Sequence, residues 1–235
     1  MDHWPGRGDT IKRAKVRYGG MEKPVGLIIL DFDGTLADTR SIIVDSIQRT
    51  LLELGLGKRT DEECGAMIGL PLLECFTTLL GVDEAMAERC AEVYRRVFDE
   101  LNTGGAVTLF PGVLATLGAL HARGKRLAIC SSRGRATLDG FVRRFGLEPY
   151  VGMVVGSDDV EHGKPHPEPT LRILQALGVP AGEALVVGDA SFDIEMGRAA
   201  GCRTCGVTYG NQSAEALRAA GADWLIDRFA DLLTI

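Results

Sequence analysis

The sequence predicts an α/β fold: a parallel sheet core flanked by helices, with a helical unit inserted into it. Three observations predict it. Five short apolar runs, at residues 27–30, 127–130, 153–155, 185–187 and 204–207, lack polar alternation, as strands buried on both faces do. Helical spacing fills most intervals between them: Ile43, Ile47, Thr50, Leu51 and Leu54; Val113, Leu117 and Leu120; Leu171, Leu174 and Leu177. From about residue 39 to 109 there are helical signals and no convincing strand, punctuated by glycines and Pro71.

These signals divide the chain. Residues 24–38 and 110–235 form the α/β core, with "LFPGV" at 109–113 as the return to the sheet, and 39–109 form the helical insert. The segment before them, "MDHWPGRGDTIKRAKVRYGG", is basic, Gly-rich and aperiodic, so residues 1–23 read as a flexible extension. It has no apolar h-region of a secretory signal.

Composition excludes some functions. A net charge of −6 offers no basic stripe for nucleic acid, and no apolar run approaches the ~18 residues of a membrane span. Six scattered cysteines without a signal peptide read as reduced thiols of a cytoplasmic protein. Cys202 and Cys205 form a C-x-x-C, but no second pair or His pair accompanies it, so both read as small hydrophobes beside a strand.

The first strand, in "GLIILDFDGTLADTR", ends on two aspartates, Asp31 and Asp33. In an open Rossmann-like sheet, ligands bind outside the carboxyl ends of the strands. Ser131, Ser132 and Arg133 follow the second apolar run. Asp189 follows the fourth, with Asp193 four residues on, and Lys164 lies in the loop "EHGKPHPEP". Carboxylates gathered on one rim repel unless a cation sits among them, and an all-oxygen donor set suits Mg²⁺. The Lys164 ammonium and Ser131 hydroxyl suit the oxygens of a phosphoryl group.

"DFDGT", Ser131, Lys164 in "GKPHP", and "GDASFD" resemble, in order and spacing, the four motifs of the haloacid dehalogenase superfamily. The resemblance covers 24–235, and the long interval between the first two motifs matches members with a helical cap there. "DGTLADT", "FPGV", "KPHP" and "AAG…GVTYG" look most like the phosphoglycolate phosphatase branch. The resemblance implies a phosphatase. Asp31 would be the nucleophile that forms an aspartyl-phosphate, and Asp33 the general acid and then base. Asp31, the Asp33 carbonyl and Asp189 would hold Mg²⁺, with Asp193 beside them orienting a ligand or Lys164. Ser131 and Lys164 would bind the transferring phosphoryl group. Gly34, Thr35, Ser132 and Arg133 are the further substrate-binding candidates.

Other readings stand beside these. Arg133 and Arg135 also read as a solvated face at a helix start, and Arg40 either as pointing toward the cap or as a surface residue. His166 reads as loop architecture supporting Lys164. Residues 69–72, "GLPL", resemble a cap loop that meets substrate, although Pro71 also suits a helix start. The expected substrate is a small phosphorylated metabolite, with 2-phosphoglycolate the branch-level expectation; sugar phosphates, nucleoside monophosphates and pyrophosphate are alternatives. A β-phosphoglucomutase-like chain carries a histidine soon after the first motif, and "DTRSIIVD" has none. Asp33 speaks against a metal-free dehalogenase. A catalytically silent regulatory binding protein is the alternative of another class. The chain is expected to work as a monomer or weak homodimer.

Overall fold

The structure is a computed structural model and describes residues 24–103 and 105–235. The sequence reading of residues 1–23 therefore lies outside the described residues. β1 (Leu27–Leu30) leads to a short β2 (Ala37–Asp38). Four helices follow: α1 (Arg40–Leu54), α2 (Asp61–Gly65), α3 (Leu72–Leu80) and α4 (Glu84–Leu101), then a short β3 (Thr108–Leu109). Helix and strand then alternate through α5 (Val113–Ala122), β4 (Arg126–Cys130), α6 (Arg135–Arg144), β5 (Val151–Val155), α7 (Glu168–Leu177), β6 (Ala184–Gly188), α8 (Ser191–Ala199), β7 (Arg203–Val207), α9 (Ala214–Ala219) and β8 (Trp224–Ile226). No described helix is long and apolar enough to cross a membrane.

Six strands form one parallel sheet in the order β5-β4-β1-β6-β7-β8. β1 is central, and the chain steps outward to β4 and β5 on one side and β6 to β8 on the other. That reversal is the switch point at which doubly wound sheets open a crevice. β1 can be central because "LIIL" is apolar at every position. Ile28 and Leu30 join the core on one face, with α5 and α6, while Leu27 and Ile29 join that on the other, with α7 and α8. All four are at most 3% exposed, each worth about 1.5–3 kcal/mol of burial.

Two elements differ from the sequence expectation. β8 has only three residues, too short to register as an apolar run. The "LFPGV" return does not enter the main sheet; β3 pairs antiparallel with β2 in a separate two-stranded ribbon, which closes the base of the inserted helices. Cys202 and Cys205 join cores on opposite sides of the sheet, and all six cysteines are free and buried.

The insert is capped locally and shares the larger core. Thr60 and Glu63 form a capping box on α2, and the Asp83 carboxylate accepts the Met86 N–H at 2.9 Å to start α4. A chain of rings then crosses from insert to sheet. Phe76 meets Tyr94, Tyr94 meets Phe98, Phe98 meets Phe141 of α6, and Phe141 stacks on Phe32 with centroids 5.3 Å apart. Phe141 is the shared member and is 1% exposed. Phe141→Ala should therefore cost about 3–5 kcal/mol of stability, read as a lower urea midpoint at unchanged slope. A loss under 1 kcal/mol would mean the two parts pack independently.

Candidate active site

β4, β1 and β6 are neighbours and run parallel, so the residues just past their carboxyl ends form a row. The register continues one residue beyond β1 and β4: Asp31 N–H donates to the Val187 carbonyl at 2.9 Å and Ser131 N–H to the Val155 carbonyl at 3.0 Å. Asp31, Ser131 and Asp189 thus share one rim, although over 150 residues apart along the chain at most.

Lys164 comes to this rim from the loop between β5 and α7. Its ammonium donates to Asp31 Oδ1 at 2.5 Å and to Asp193 Oδ1 at 2.7 Å, with all three side chains at most 6% exposed. The Glu168 carboxylate shapes the loop by accepting the N–H groups of Glu161 and His162, both at 2.9 Å. Asp193 sits in the first turn of α8, and a side chain at Gly188 would collide with its carboxylate, so glycine is required there.

Asp189 is held from the other side. Its Oδ2 accepts the backbone N–H and side-chain amide of Asn211 at 2.6 and 2.7 Å, and Oδ1 accepts the Thr35 hydroxyl at 3.3 Å. Gly34 has φ +86°, and a Cβ there would collide with the Asp189 carboxylate and the Asn211 amide. The turn after β1 can lie against Asp189 only with glycine in place. Arg40, half-buried, donates to Asn211 Oδ1 at 3.3 Å rather than pointing to solvent.

Asp33 lines the same cavity as Asp31 but has a different partner. Arg133 grips it with both arms, Nη2 to Oδ1 at 2.6 Å and Nε to Oδ2 at 3.1 Å. The guanidinium lies 4.5 Å from the Phe98 ring centroid and 5.3 Å from that of Phe141. The solvated-face reading of Arg133 is therefore corrected: two rings and a carboxylate enclose a side chain that is 9% exposed. Arg135 does lie on the helix-start face, paired with Asp139 and Asp159 at partial exposure. Ser131 Oγ accepts the Arg133 N–H at 3.2 Å. Ser132 Oγ donates to the Gly69 carbonyl at 2.6 Å, tying the core to the "GLPL" segment.

Burial raises the Asp31 carboxyl well above its ordinary value; Lys164 opposes this, while Asp193 and Asp189 add to it. Burial likewise pushes Asp189 up to about 7, with Asp193 adding and the Asn211 hydrogen bonds opposing. Burial alone would lower the Lys164 ammonium, but Asp193 and Asp31 overcome it and raise it. One ammonium does not balance three buried carboxylates. Oxygens of Asp31, Asp189 and Asp193 lie within 4.8 Å of one another, and this hard-donor set fits a divalent cation. Lys164 occupies Asp31 Oδ1 and Asn211 occupies Asp189 Oδ2, so Asp31 Oδ2 and Asp189 Oδ1 are the freest to ligate.

Sequence reasoning missed Asn211, Tyr209, Tyr94 and Phe98. Asn211 stands in the loop after β7, where the carboxyl-end rule could have found it. Tyr209 donates its hydroxyl to the Thr35 carbonyl at 2.8 Å. Tyr94 and Phe98 read only as the apolar face of a helix. With the strand ends, they bound a cavity of about 310 Å³ over Asp31, Asp33 and Ser131.

A profile of haloacid dehalogenase-like hydrolases matches residues 28–207. The chain belongs to the haloacid dehalogenase-like hydrolase family. It is 35% identical over 214 residues to a protein named pyrophosphatase PpaX from Bacillus pumilus, covering 91% of this chain and 97% of that one. It is 34% identical over 228 residues to a phosphoglycolate phosphatase from Salmonella typhimurium, covering 88% and 90%. A crystal structure of a haloacid dehalogenase-like hydrolase from Bacteroides fragilis superposes with a TM-score of 0.84 at 31% identity, covering 89% of this chain and all of that one. Within the family this chain stands with the phosphatases, and the parallel six-stranded sheet is the shared fold.

The carboxylate cluster sets a pH-dependent response to metal. Asp189, raised from 3.8 to about 7 in the fold, binds its proton more tightly folded than unfolded. Its stabilising contribution is complete below pH ~4 and is lost as pH rises through about 7. A divalent cation held there would take the proton's place, so Mg²⁺ is expected to raise the thermal midpoint more at pH 8 than at pH 5. Equal increments at both pH values in scanning calorimetry would contradict this.

Proposed function

We propose that this protein is a Mg²⁺-dependent phosphatase that hydrolyses a small phosphorylated metabolite through an aspartyl-phosphate on Asp31. The observation that carries the proposal is the buried group of Asp31, Lys164, Asp189 and Asp193 beside Ser131, with Asp31 and Ser131 lining a cavity. Family membership supports the reaction class, and the six free, buried cysteines suit a reducing, cytoplasmic setting.

In this reading the substrate phosphoryl oxygens accept from the Ser131 hydroxyl, Lys164 and nearby backbone N–H groups, with Gly34, Thr35 and Ser132 shaping the turns around them. Asp31 attacks phosphorus in line through Oδ1, which leaves Oδ2 for the cation, and the P–O bond to the leaving alcohol breaks. Asp33 gives that oxygen its proton, then takes one from the water that attacks phosphorus and frees Asp31. Arg133 holds both Asp33 oxygens, so Asp33 must give up one of those bonds to act as an acid. Arg133 is thus better placed to position Asp33 than to bind a phosphoryl oxygen. Asp31 Oδ2, the Asp33 carbonyl and Asp189 Oδ1 would hold Mg²⁺, which neutralises charge on the transferring group. Asp193 keeps Lys164 aimed at Asp31. The helices of 39–109 act as the cap that excludes water, and the Ser132–Gly69 hydrogen bond joins cap to core.

The relatives' names point to two different leaving groups, glycolate and phosphate. No histidine stands soon after the first motif, in "DTRSIIVD", as a mutase would carry, and a silent binding protein would not need the complete set of acid, nucleophile and cation-binding groups. Phosphate release from p-nitrophenyl phosphate should require Mg²⁺. It should fall about 10³-fold or more in Asp31→Asn and about 10²–10⁴-fold in Asp33→Asn. Release that is indifferent to Mg²⁺, or undiminished in Asp31→Asn, would refute the nucleophile assignment.

A further inference from the structure

A phenol hydroxyl inside a protein usually finds a partner, because a buried donor left without one is costly. Tyr209 fits this rule: it is half-buried, and its hydroxyl donates to the Thr35 carbonyl at 2.8 Å. Tyr94 of α4 does not. It is only 8% exposed, yet its hydroxyl has no hydrogen-bond partner among the described residues. Nor is that oxygen sealed in; it keeps an open side.

The surroundings of Tyr94 show where that side lies. Phe76 meets its ring edge-on with centroids 6.1 Å apart, and Phe98 stacks beside it at 5.9 Å. The Phe98 ring lies 4.5 Å from the Arg133 guanidinium, which holds Asp33. Tyr94 lines the cavity together with Asp31, Asp33 and Ser131. With its ring fixed by two neighbours, the space left for its hydroxyl is the cavity. Burial pushes the phenol up, Arg133 opposes this and Asp33 adds to it. The group is therefore an O–H throughout the working pH range, able to donate and to accept.

The wall that continues from Tyr94 is mixed. Ile47 and Leu72 are apolar, whereas Thr137 and Ser157 bring hydroxyls and Arg95 a cation. None of these three polar side chains has a hydrogen bond or ion pair among the described residues. A plain hydrocarbon in the cavity would leave all of them, and Tyr94, unmet. An alcohol with a further oxygen would give Tyr94 its missing partner.

We propose that Tyr94 is a substrate-binding residue: its hydroxyl hydrogen-bonds an oxygen of the leaving group beyond the ester oxygen. That contact selects phosphate monoesters of small oxygenated alcohols over plain alkyl phosphates. This deepens, and rests on, the phosphatase reading of Asp31. Asp33 serves the ester oxygen and Tyr94 the oxygen beyond it, so chemistry stays on the strand ends while selection comes from α4 of the insert.

The test is kcat/KM of wild type and Tyr94→Phe, each with Mg²⁺, on ethyl phosphate, 2-hydroxyethyl phosphate and 2-phosphoglycolate. All three share a two-carbon skeleton, and taking the ratio of wild type to variant for each substrate cancels differences in leaving-group acidity. The variant should lose about threefold to tenfold on 2-hydroxyethyl phosphate. On 2-phosphoglycolate, whose carboxylate accepts the stronger bond, it should lose about tenfold or more. Ethyl phosphate should lose least. The ring stack is kept, so the melting midpoint of Tyr94→Phe should match that of the wild type or exceed it. A midpoint lower by more than about 4 °C would show that the hydroxyl serves the fold. Equal losses on the three substrates would show that it does not read the leaving group. Either result overturns the proposal. p-Nitrophenyl phosphate, an activated ester, runs alongside. If its turnover depends on Asp31 while the three losses are equal, the phosphatase reading survives and the role of Tyr94 falls. If no ester is hydrolysed, both fall.

Discussion

The rest of the site depends on one buried ammonium. Lys164 lies between Asp31 and Asp193 with almost no solvent, and neither carboxylate could be buried there without it. Removing one partner of such a group typically costs about 3–5 kcal/mol, because the remaining charge is left uncompensated. Three strand ends, the loop that carries Lys164 and the first turn of α8 are therefore fixed relative to one another. Yet the group stays short of positive charge, since Asp189 is also buried and Asn211 gives it hydrogen bonds but no charge. That deficit is what a divalent cation would remove.

A second constraint joins the insert to the catalytic rim. Arg133 belongs to the core by sequence, but Phe98 of α4 and Phe141 of α6 enclose its guanidinium while Asp33 accepts both its arms. Ser132, one residue earlier, donates to Gly69 of the insert. The position of the helices and the orientation of Asp33 are thus coupled through adjacent residues of one loop. Movement of α4 would change the surroundings of Arg133 and, through it, the freedom of Asp33.

The sheet was legible because its strands are buried on both faces, so each reads as an uninterrupted apolar run. Five runs mapped to five strands, with ends shifted by at most two residues. β8 and the β2–β3 ribbon were not legible, since two- or three-residue strands carry no pattern and pairing depends on chain reversal. Asp31, Asp33, Ser131 and Asp189 stood out because polar groups just past the ends of apolar runs are chemically conspicuous, and Lys164 as the ammonium of a Gly/Pro-rich loop whose place in the motif order matches the family. Arg133 was half legible: its position next to Ser131 was readable, its burial was not. That burial comes from Phe98 and Phe141, which arrive from distant helices. Asn211 was missed because the loop after β7 begins with ordinary turn residues, and its worth lies in meeting Asp189 across the sheet.

The central claim is that Asp31, with a divalent cation and Lys164, forms a receptor for a phosphoryl group. Fluorine NMR with beryllofluoride, a mimic of a phosphoryl group on a carboxylate, tests it most directly. The account predicts bound fluoride resonances that appear with Mg²⁺, vanish on chelation and are absent in Asp31→Asn. Bound resonances that persist in Asp31→Asn, or that never form in the wild type with Mg²⁺, would contradict it.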